Sequence, residues 1–187
     1  MFTDAMTAGV NPGGLQSRTE IRVLICYLLH NSKSPLPLEM VKEQLHFNGI
    51  ANYFETAFAI SDLEESNTIF GSLQEDGLKY YTGTGDCTHI ATSLGSSLPF
   101  SVREDAIDIC NSILSKKRNE RANKFFQEKS EYGIYVTCTV MENDHELASV
   151  KLLVPDESTA NAVKDNFLTD PVKVLIRATE GLTNMKL

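Results

Sequence analysis

The first half of the chain contains three segments with the apolar spacing of α-helices. A first helix is predicted after Ser17, because Ser17 and Glu20 have the spacing of a capping box and apolar residues follow at helical intervals. Pro37 suits the first turn of a second helix. A third helix is predicted from about Asn52 to Glu65. Helices so close together in sequence bury their apolar stripes against one another, which predicts a three-helix unit.

The pattern then changes from the period of helices to that of strands. Residues 68–70 and 78–82 are strand-like, and Asp76-Gly77 between them is typical of a hairpin turn. Three helices followed by a two-stranded hairpin is the order of a winged helix-turn-helix, with the third helix as its recognition helix and the hairpin as its wing. We therefore predict a winged helix-turn-helix domain with an amino-terminal arm over residues 1–97.

The second half of the chain is expected to begin with a long helix. A short helix is predicted first, over residues 84–95, and Ser101 and Glu104 then have the spacing of a second capping box. Apolar residues at helical spacing continue to Leu114. The helix is expected to fade into Lys116-Lys117-Arg118, where basic side chains complement the helix dipole.

The last third of the chain alternates apolar and polar residues, as antiparallel strands do. Residues 134–141 and 147–154 form two such stretches, and residues 124–127 are predicted as a third strand. Two helices are expected to follow, the first beginning at Pro155-Asp156 and the second at Asp170-Pro171. The chain is thus predicted to be α+β. Its second domain, residues 98–187, has the long helix, a three-stranded antiparallel sheet and two carboxyl-terminal helices.

Composition limits the classes of function. Of the 187 residues 42% are hydrophobic and 22% charged, which is typical of a globular protein. The net charge of −8 excludes a general polyanion binder, so a nucleic-acid role requires a local basic patch. The amino terminus lacks the pattern of a signal peptide, and no apolar run has the length of a membrane span. We expect a cytoplasmic protein without membrane association.

The sequence predicts no catalytic residue, no cofactor and no metal centre. The four cysteines are too far apart for zinc-ligand pairs and lie near apolar stretches, which favours buried free thiols over the alternative of a disulfide. Gly83 and Gly85 have the first spacing of a dinucleotide motif but lack its third glycine and its βαβ context. Cys87 and His89 have no further ligand or orienting acid signalled nearby.

Five stretches of the chain carry a family resemblance. They are TAGVNPGGLQSRTEIRVLICYLL (7–29), ANYFETAFAISDLEES (51–66), LPFSVREDAI (98–107), YGIYVTCTV through LLVPD (132–156) and NFLTDPVKV (166–174). Together they resemble an uncharacterised bacterial domain-of-unknown-function family whose members begin with a winged helix. The resemblance spans nearly the whole chain and implies a winged helix and a cytoplasmic protein. It implies a regulatory DNA-binding role only by inference from that fold.

The third predicted helix is poorly suited to DNA. It begins at Asn52 and contains no Lys or Arg. Aromatic and acidic side chains are poor partners for phosphates and better partners for a groove on another protein. In the alternative, the helix is rotated by about 100° and its two phenylalanines belong to the core. Thr56, Ala59, Ile60 and Leu63 form the predicted core stripe of this helix. The side chains expected to face outward are Phe54, Glu55, Phe58 and Asp62.

Basic residues that could contact DNA lie outside this helix. The predicted wing contributes Lys79 alone, with acidic residues at its tip. Residues 116–129 hold six basic residues against two acidic ones, and in a homodimer two such stretches could flank a duplex. The alternative is a solvated helix end. The residues of this stretch considered for binding are Lys116, Lys117, Arg118, Arg121 and Lys124.

Two functions of different classes follow from these observations. One is a transcriptional regulator, in which the third helix and the hairpin bind double-stranded DNA, residues 116–129 contact phosphates, and the second half forms a homodimer or senses a partner. The other is a protein–protein interaction module that uses the acidic, aromatic face of the winged helix and does not bind DNA. Fold and resemblance favour the first. The four basic and eight acidic side chains of residues 1–66 favour the second.

Overall fold

A computed structural model describes residues 6–186 and confirms the α+β class. In that range the helices are Arg18–Ser32 (α1), Leu38–Phe47 (α2), Tyr53–Glu65 (α3), Gly85–Leu94 (α4), Phe100–Ala122 (α5), Glu157–Thr169 (α6) and Pro171–Thr183 (α7). The strands are Ile69–Leu73 (β1), Lys79–Gly83 (β2), Lys124–Ser130 (β3), Gly133–Glu142 (β4) and His145–Val154 (β5). Strands β1 and β2 form one antiparallel sheet, and β3, β4 and β5 form a second in that order.

The chain divides into two compact units, Met1–Ile113 and Leu114–Leu187. Helix α5 begins in the first unit and ends in the second. The domain boundary expected between residues 97 and 98 rested on sequence pattern rather than on contacts, and it stays a prediction. We call the two compact units the amino-terminal and the carboxyl-terminal unit.

Helix α1 is the central element of the amino-terminal unit. The Glu20 N–H donates to Ser17 Oγ at 3.2 Å and the Ser17 N–H donates to the Glu20 carboxylate at 3.1 Å, which confirms the predicted capping box. Seven of the 15 residues of α1 are buried, and the helix contacts α3, α4 and β2. Burial around so much of its circumference requires neighbours on several sides.

A tight turn joins α2 to α3. Gly49 in this turn has a φ of +68°, and a Cβ at this position would collide with the Asn11 side chain, so glycine is required. Asn52 begins α3 by accepting the N–H groups of Phe54 and Glu55 at 2.9 and 3.2 Å. The predicted core stripe of α3 is buried as expected: Thr56, Ala59, Ile60 and Leu63.

The hairpin of β1 and β2 has a partner that the sequence pattern did not predict. Ile69 pairs with Gly83 and Leu73 with Lys79, which confirms the predicted hairpin. Leu36, in the connection between α1 and α2, exchanges two backbone hydrogen bonds of 3.0 and 2.9 Å with Tyr81. Leu36 thus forms an isolated β-bridge with the hairpin, and a single residue gives no periodic signal in the sequence.

Helix α5 begins before its predicted cap. Phe100 is its first residue, and the Arg103 N–H donates to the Pro99 carbonyl at 3.1 Å. The predicted capping box of Ser101 and Glu104 is therefore wrong, because the first intrahelical hydrogen bond already runs to residue 99 and places Ser101 inside the helix. The helix also continues to Ala122, beyond the basic residues where it was expected to fade.

One face of the three-stranded sheet carries the core of the carboxyl-terminal unit. Helices α6 and α7 cover this face, and their first turns are capped by Asp156 and Asp170, which accept the N–H groups of Thr159 and Lys173 at 2.8 and 2.9 Å. Both predicted helix starts are confirmed. The buried residues of this core are Ile134, Val136, Cys138, Val140, Val154, Ala160, Phe167 and Leu168.

All four cysteines are free and buried, as the sequence predicts. The Cys87 S–H donates to the carbonyl oxygen of Cys26 at 3.8 Å. A side-chain hydrogen bond between the two thiols, together with burial, raises the pKa of Cys26, and the same hydrogen bond lowers the pKa of Cys87. Burial raises the pKa of Cys110 to about 12 and also raises the pKa of Cys138.

We expect these thiols to be inert in the folded protein. Only the thiolate attacks a disulfide reagent, and burial keeps all four sulfur atoms out of the reagent's reach, including that of Cys87, whose pKa is lowered. Titration with 5,5′-dithiobis(2-nitrobenzoate) at about pH 8 should give no rapid reaction under native conditions. In guanidinium chloride all four cysteines should react. Rapid reaction of one or more thiols in the folded chain would contradict this expectation.

Candidate functional site

Helix α3 presents two phenylalanines to solvent. Phe54 and Phe58 lie one turn apart and are 57% and 47% exposed. This confirms the outward orientation expected for both. The Tyr53 ring lies edge-on to Phe54, with the ring centroids 5.5 Å apart. We call Tyr53, Phe54 and Phe58 the aromatic face of α3, since exposed apolar side chains grouped in this way mark interaction surfaces more often than isolated ones do.

Glu55 does not face outward, and that expectation is wrong. It is 5% exposed, and its carboxylate accepts hydrogen bonds from Arg18 Nε at 3.0 Å and from the Met6 N–H at 3.2 Å. At 100° per residue, Glu55 lies only about 40° around the helix from the buried Ala59. Its position beside the core stripe, together with a cation from α1, explains its burial.

The charge of Glu55 is maintained by its partners. Burial by itself raises the pKa of this carboxyl, but the hydrogen bond and charge of Arg18 and the N–H of Met6 outweigh burial. The pKa of Glu55 is therefore below its usual range. Glu55 is a structural anion that joins α3 to α1 and to the amino-terminal arm, rather than a group available to a partner.

The arm, residues 6–15, lies across the start of α3. The Asn52 Nδ2 donates to the Ala8 carbonyl at 2.8 Å, and backbone hydrogen bonds of 2.8 Å join Asn11 to Gly49 and Leu15 to Ile50. Both polar atoms of the Asn52 side chain are thus bonded within the chain, one to the arm and one to the cap. The first N–H groups of α3, which at other helices bind phosphate, already have an acceptor.

Three cations beside α3 and the hairpin are already paired. Each of three basic side chains forms an ion pair with a carboxylate and also lies over an aromatic ring. The predicted wing residue Lys79 is one of them, so it is not a free phosphate contact. The ion pairs are Arg18–Glu55 (3.0 Å), Lys42–Glu39 (2.5 Å) and Lys79–Glu64 (2.5 Å), and the rings are those of Phe58, Tyr53 and Tyr81, at 4.8, 4.3 and 5.1 Å.

The predicted binding residues of α5 and β3 lie in the carboxyl-terminal unit. Lys116 forms an ion pair with Asp165 at 2.6 Å and Lys117 with Glu120 at 2.9 Å. The other three are exposed and form no ion pair with any residue between 6 and 186: Arg118, Arg121 and Lys124. Asp62, the last of the α3 residues considered, is half-buried.

A model of the protein family described as a domain of unknown function, DUF4364, matches residues 21–178. The chain belongs to the DUF4364 family. The predicted membership of a domain-of-unknown-function family is confirmed. The match covers α3 and nearly all of the carboxyl-terminal unit of this DUF4364 protein. No curated protein and no solved structure matches the chain.

The described residues of this DUF4364 chain contain no candidate metal site and no candidate membrane-spanning helix. Within the described range no three or more His, Cys, Asp or Glu side chains are grouped so that they could hold a metal ion. From residue 6 to residue 186 no helix is both long enough and apolar enough to cross a bilayer.

The role of Arg18 was not predicted, although its position in the sequence indicates it. Arg18 is the first residue of α1, where a positive charge is unfavourable to the helix dipole. A cation at such a position indicates a partner elsewhere in the fold, here Glu55 of α3. The contacts of Met6 and Ala8 left no comparable signal, because both are made by backbone groups.

Proposed function

We propose that this DUF4364 protein is a protein–protein interaction module, in which the aromatic face of α3 binds another protein. The observation that carries the proposal is the exposure of Phe54 and Phe58 on a helix beside which Arg18, Lys42 and Lys79 are held in ion pairs. Exposed aromatic rings supply large apolar contact area, whereas phosphate binding requires cations that are free to exchange their partners.

The surroundings of the aromatic face indicate the chemistry of the partner. The side chains of Glu43 and Glu65 are exposed on α2 and α3, and neither forms an ion pair with a described residue. An apolar centre with an acidic surround is complementary to a segment with apolar anchors and flanking Lys or Arg. The two rings at helical spacing fit a partner groove or helix in the way that helical recognition segments do.

The element order supports a winged-helix arrangement for the amino-terminal unit. Three helices precede the hairpin, and Leu36 forms an isolated β-bridge with it at Tyr81. In this proposal α3 occupies the position of a recognition helix but carries anchors for a protein in place of contacts for DNA. The start of α3 is also occupied by the arm, which leaves no open helix terminus for a phosphate.

DNA binding is the second candidate, and one observation favours it. Arg118, Arg121 and Lys124 are exposed cations on successive turns of α5 and at the start of β3. Each phosphate contact contributes about −0.9 to the slope of log affinity against log salt, so three contacts give about −3 per chain. That slope is small compared with those of proteins that neutralise six to ten phosphates.

Photo-crosslinking from α3 tests the proposal directly. With p-benzoylphenylalanine in place of Phe58, we expect one discrete protein adduct in cells that make the chain natively. The same group at Tyr132, which is 80% exposed in the other unit, serves as the matched control and should not give that adduct. Once the adduct is identified and the partner purified, Phe54→Ala and Phe58→Ala should each weaken its binding by about 30-fold, as expected of central aromatic anchors.

A DNA titration tests the second candidate function. Fluorescence anisotropy with mixed duplex fragments at about 50 and 200 mM salt should show weak binding at most. Tight binding that falls steeply with salt, lost in an Arg118→Glu/Arg121→Glu variant, would overturn the proposal in favour of DNA. An adduct formed from position 132 with none formed from position 58 would overturn the proposal as well.

A further inference from the structure

A second feature of the amino-terminal unit is an arginine whose charge is not neutralised. Arg103 is in the first turn of α5, and its Nε is buried without a hydrogen-bond partner. Its guanidinium carbon is 5.9 Å from the centroid of the Tyr27 ring and 5.7 Å from that of the Phe100 ring. Its side chain forms no ion pair with any other residue that the structure describes. A guanidinium group that has no carboxylate partner among the described residues can pair with an anion from solution.

Arg103 lines a cavity large enough for a small ligand. The volume is about 330 Å³, at the lower end of the range for small-molecule pockets. The cavity is open to solvent on one side and has both apolar and charged walls. Its lining consists of Tyr27, Phe100, Arg103, Glu104, Ile107 and Asp108, all in the amino-terminal unit.

The charges of this cavity are separated by the geometry of α5. At 100° per residue, Phe100 and Ile107 lie about 60° and 40° around the helix from Arg103, whereas Glu104 and Asp108 lie about 100° and 140° away. The cation is therefore at one edge of the cavity, the carboxylates are at the other, and the apolar side chains are between them. Glu104 and Asp108 are one and five residues from Arg103, and residues at these two spacings do not face each other on a helix. This explains why Arg103 is not paired with either carboxylate.

We propose that this cavity binds a small zwitterion whose carboxylate and ammonium groups are separated by a short apolar chain. The carboxylate accepts hydrogen bonds from the guanidinium group of Arg103. The ammonium group lies near Glu104 and Asp108, and the chain lies on Phe100 and Ile107. The site is separate from the aromatic face of α3 and does not depend on the function proposed for that face.

Ligand-observed NMR with four probes tests the site on the full chain. We expect saturable binding of 6-aminohexanoate, with a Kd of about 10 mM or lower for a ligand of this size. Hexanoate lacks the ammonium group and hexylamine lacks the carboxylate, so each should bind more weakly. L-leucine has its two charges on adjacent atoms and should also bind more weakly. Equal binding of all four probes, or no saturable binding of 6-aminohexanoate, would overturn the proposal.

Two variants assign the charges to residues. Arg103→Gln keeps a planar side chain without the charge and should weaken binding of 6-aminohexanoate by about 10-fold or more. Arg177→Gln, at an exposed arginine of α7 in the other unit, should leave it unchanged. Asp108→Asn should reduce the preference for 6-aminohexanoate over hexanoate. Unchanged binding in Arg103→Gln would contradict the proposal, and thermal unfolding of each variant confirms that it is folded.

Discussion

Phe167→Ala is expected to lower the free energy of unfolding of the carboxyl-terminal unit by about 3–5 kcal/mol. Phe167 is 1% exposed and packs with Cys138, Val140 and Leu168 against the sheet. Truncation removes the apolar area of the ring and leaves a cavity that the surrounding β4 and α6 can close only in part. This is the largest single effect that we expect from any substitution considered for this chain.

The measurement is urea unfolding followed by circular dichroism. Each compact unit has buried residues of its own, so we expect the variant to unfold in two steps, with the carboxyl-terminal unit at the lower urea concentration. Leu182→Ala is the matched control, because Leu182 is 89% exposed on α7 and its loss should change stability by less than about 0.5 kcal/mol. A loss of less than about 1 kcal/mol in Phe167→Ala would contradict the described packing.

Arg18→Ala is expected to destabilise the amino-terminal unit by about 2–3 kcal/mol near neutral pH. The substitution leaves the buried carboxylate of Glu55 without its cation. The Arg18 side chain is half-exposed, so the loss of its own burial contributes little to the change in stability. The cost therefore arises from the carboxylate that remains. In a Glu55→Gln background the same Arg18→Ala change should cost much less, and the difference between the two backgrounds measures the coupling.

The effect of Arg18→Ala should depend on pH in a stated direction. The pKa of Glu55 is held below its ordinary value of 4.5 in the folded chain, so its charge contributes stability above about pH 4.5. That contribution is lost as the pH falls through the lowered pKa. The difference in urea midpoint between the wild type and Arg18→Ala should therefore shrink in acid. A difference that stays constant from neutral pH to about pH 3 would show that Glu55 is not the partner concerned.

Local signals in the sequence predicted the elements of this fold well. Three helix starts are marked by hydrogen bonds that form within three residues. They are Ser17 with Glu20, Asn52, and Asp170 with Pro171. The alternation of β4 likewise identified its buried face. Such features depend on neighbouring residues alone, so they can be read before the fold is known.

Features that depend on distant residues could not be predicted in the same way. The burial of Glu55 requires Arg18 from another helix and Met6 from the arm, 37 and 49 residues away. The pattern at Ser101 and Glu104 matched a capping box, but the helix begins earlier, at Phe100. Outward orientation of Phe54 and Phe58 could be predicted because the helical period fixes the face once the core stripe is known.

The way in which the arm is held has a consequence for sequence divergence. The arm contributes backbone groups to α3, namely the Met6 N–H and the Ala8 carbonyl, whereas α3 contributes the side chains of Glu55 and Asn52. Substitutions at positions 6 and 8 preserve those hydrogen bonds, except for proline at position 6, whereas most substitutions at 52 and 55 remove the side-chain groups that form them. These contacts therefore place no requirement on the side chains at positions 6 and 8, but they do require those of Asn52 and Glu55. The family match begins at residue 21, after the arm, and includes both partners.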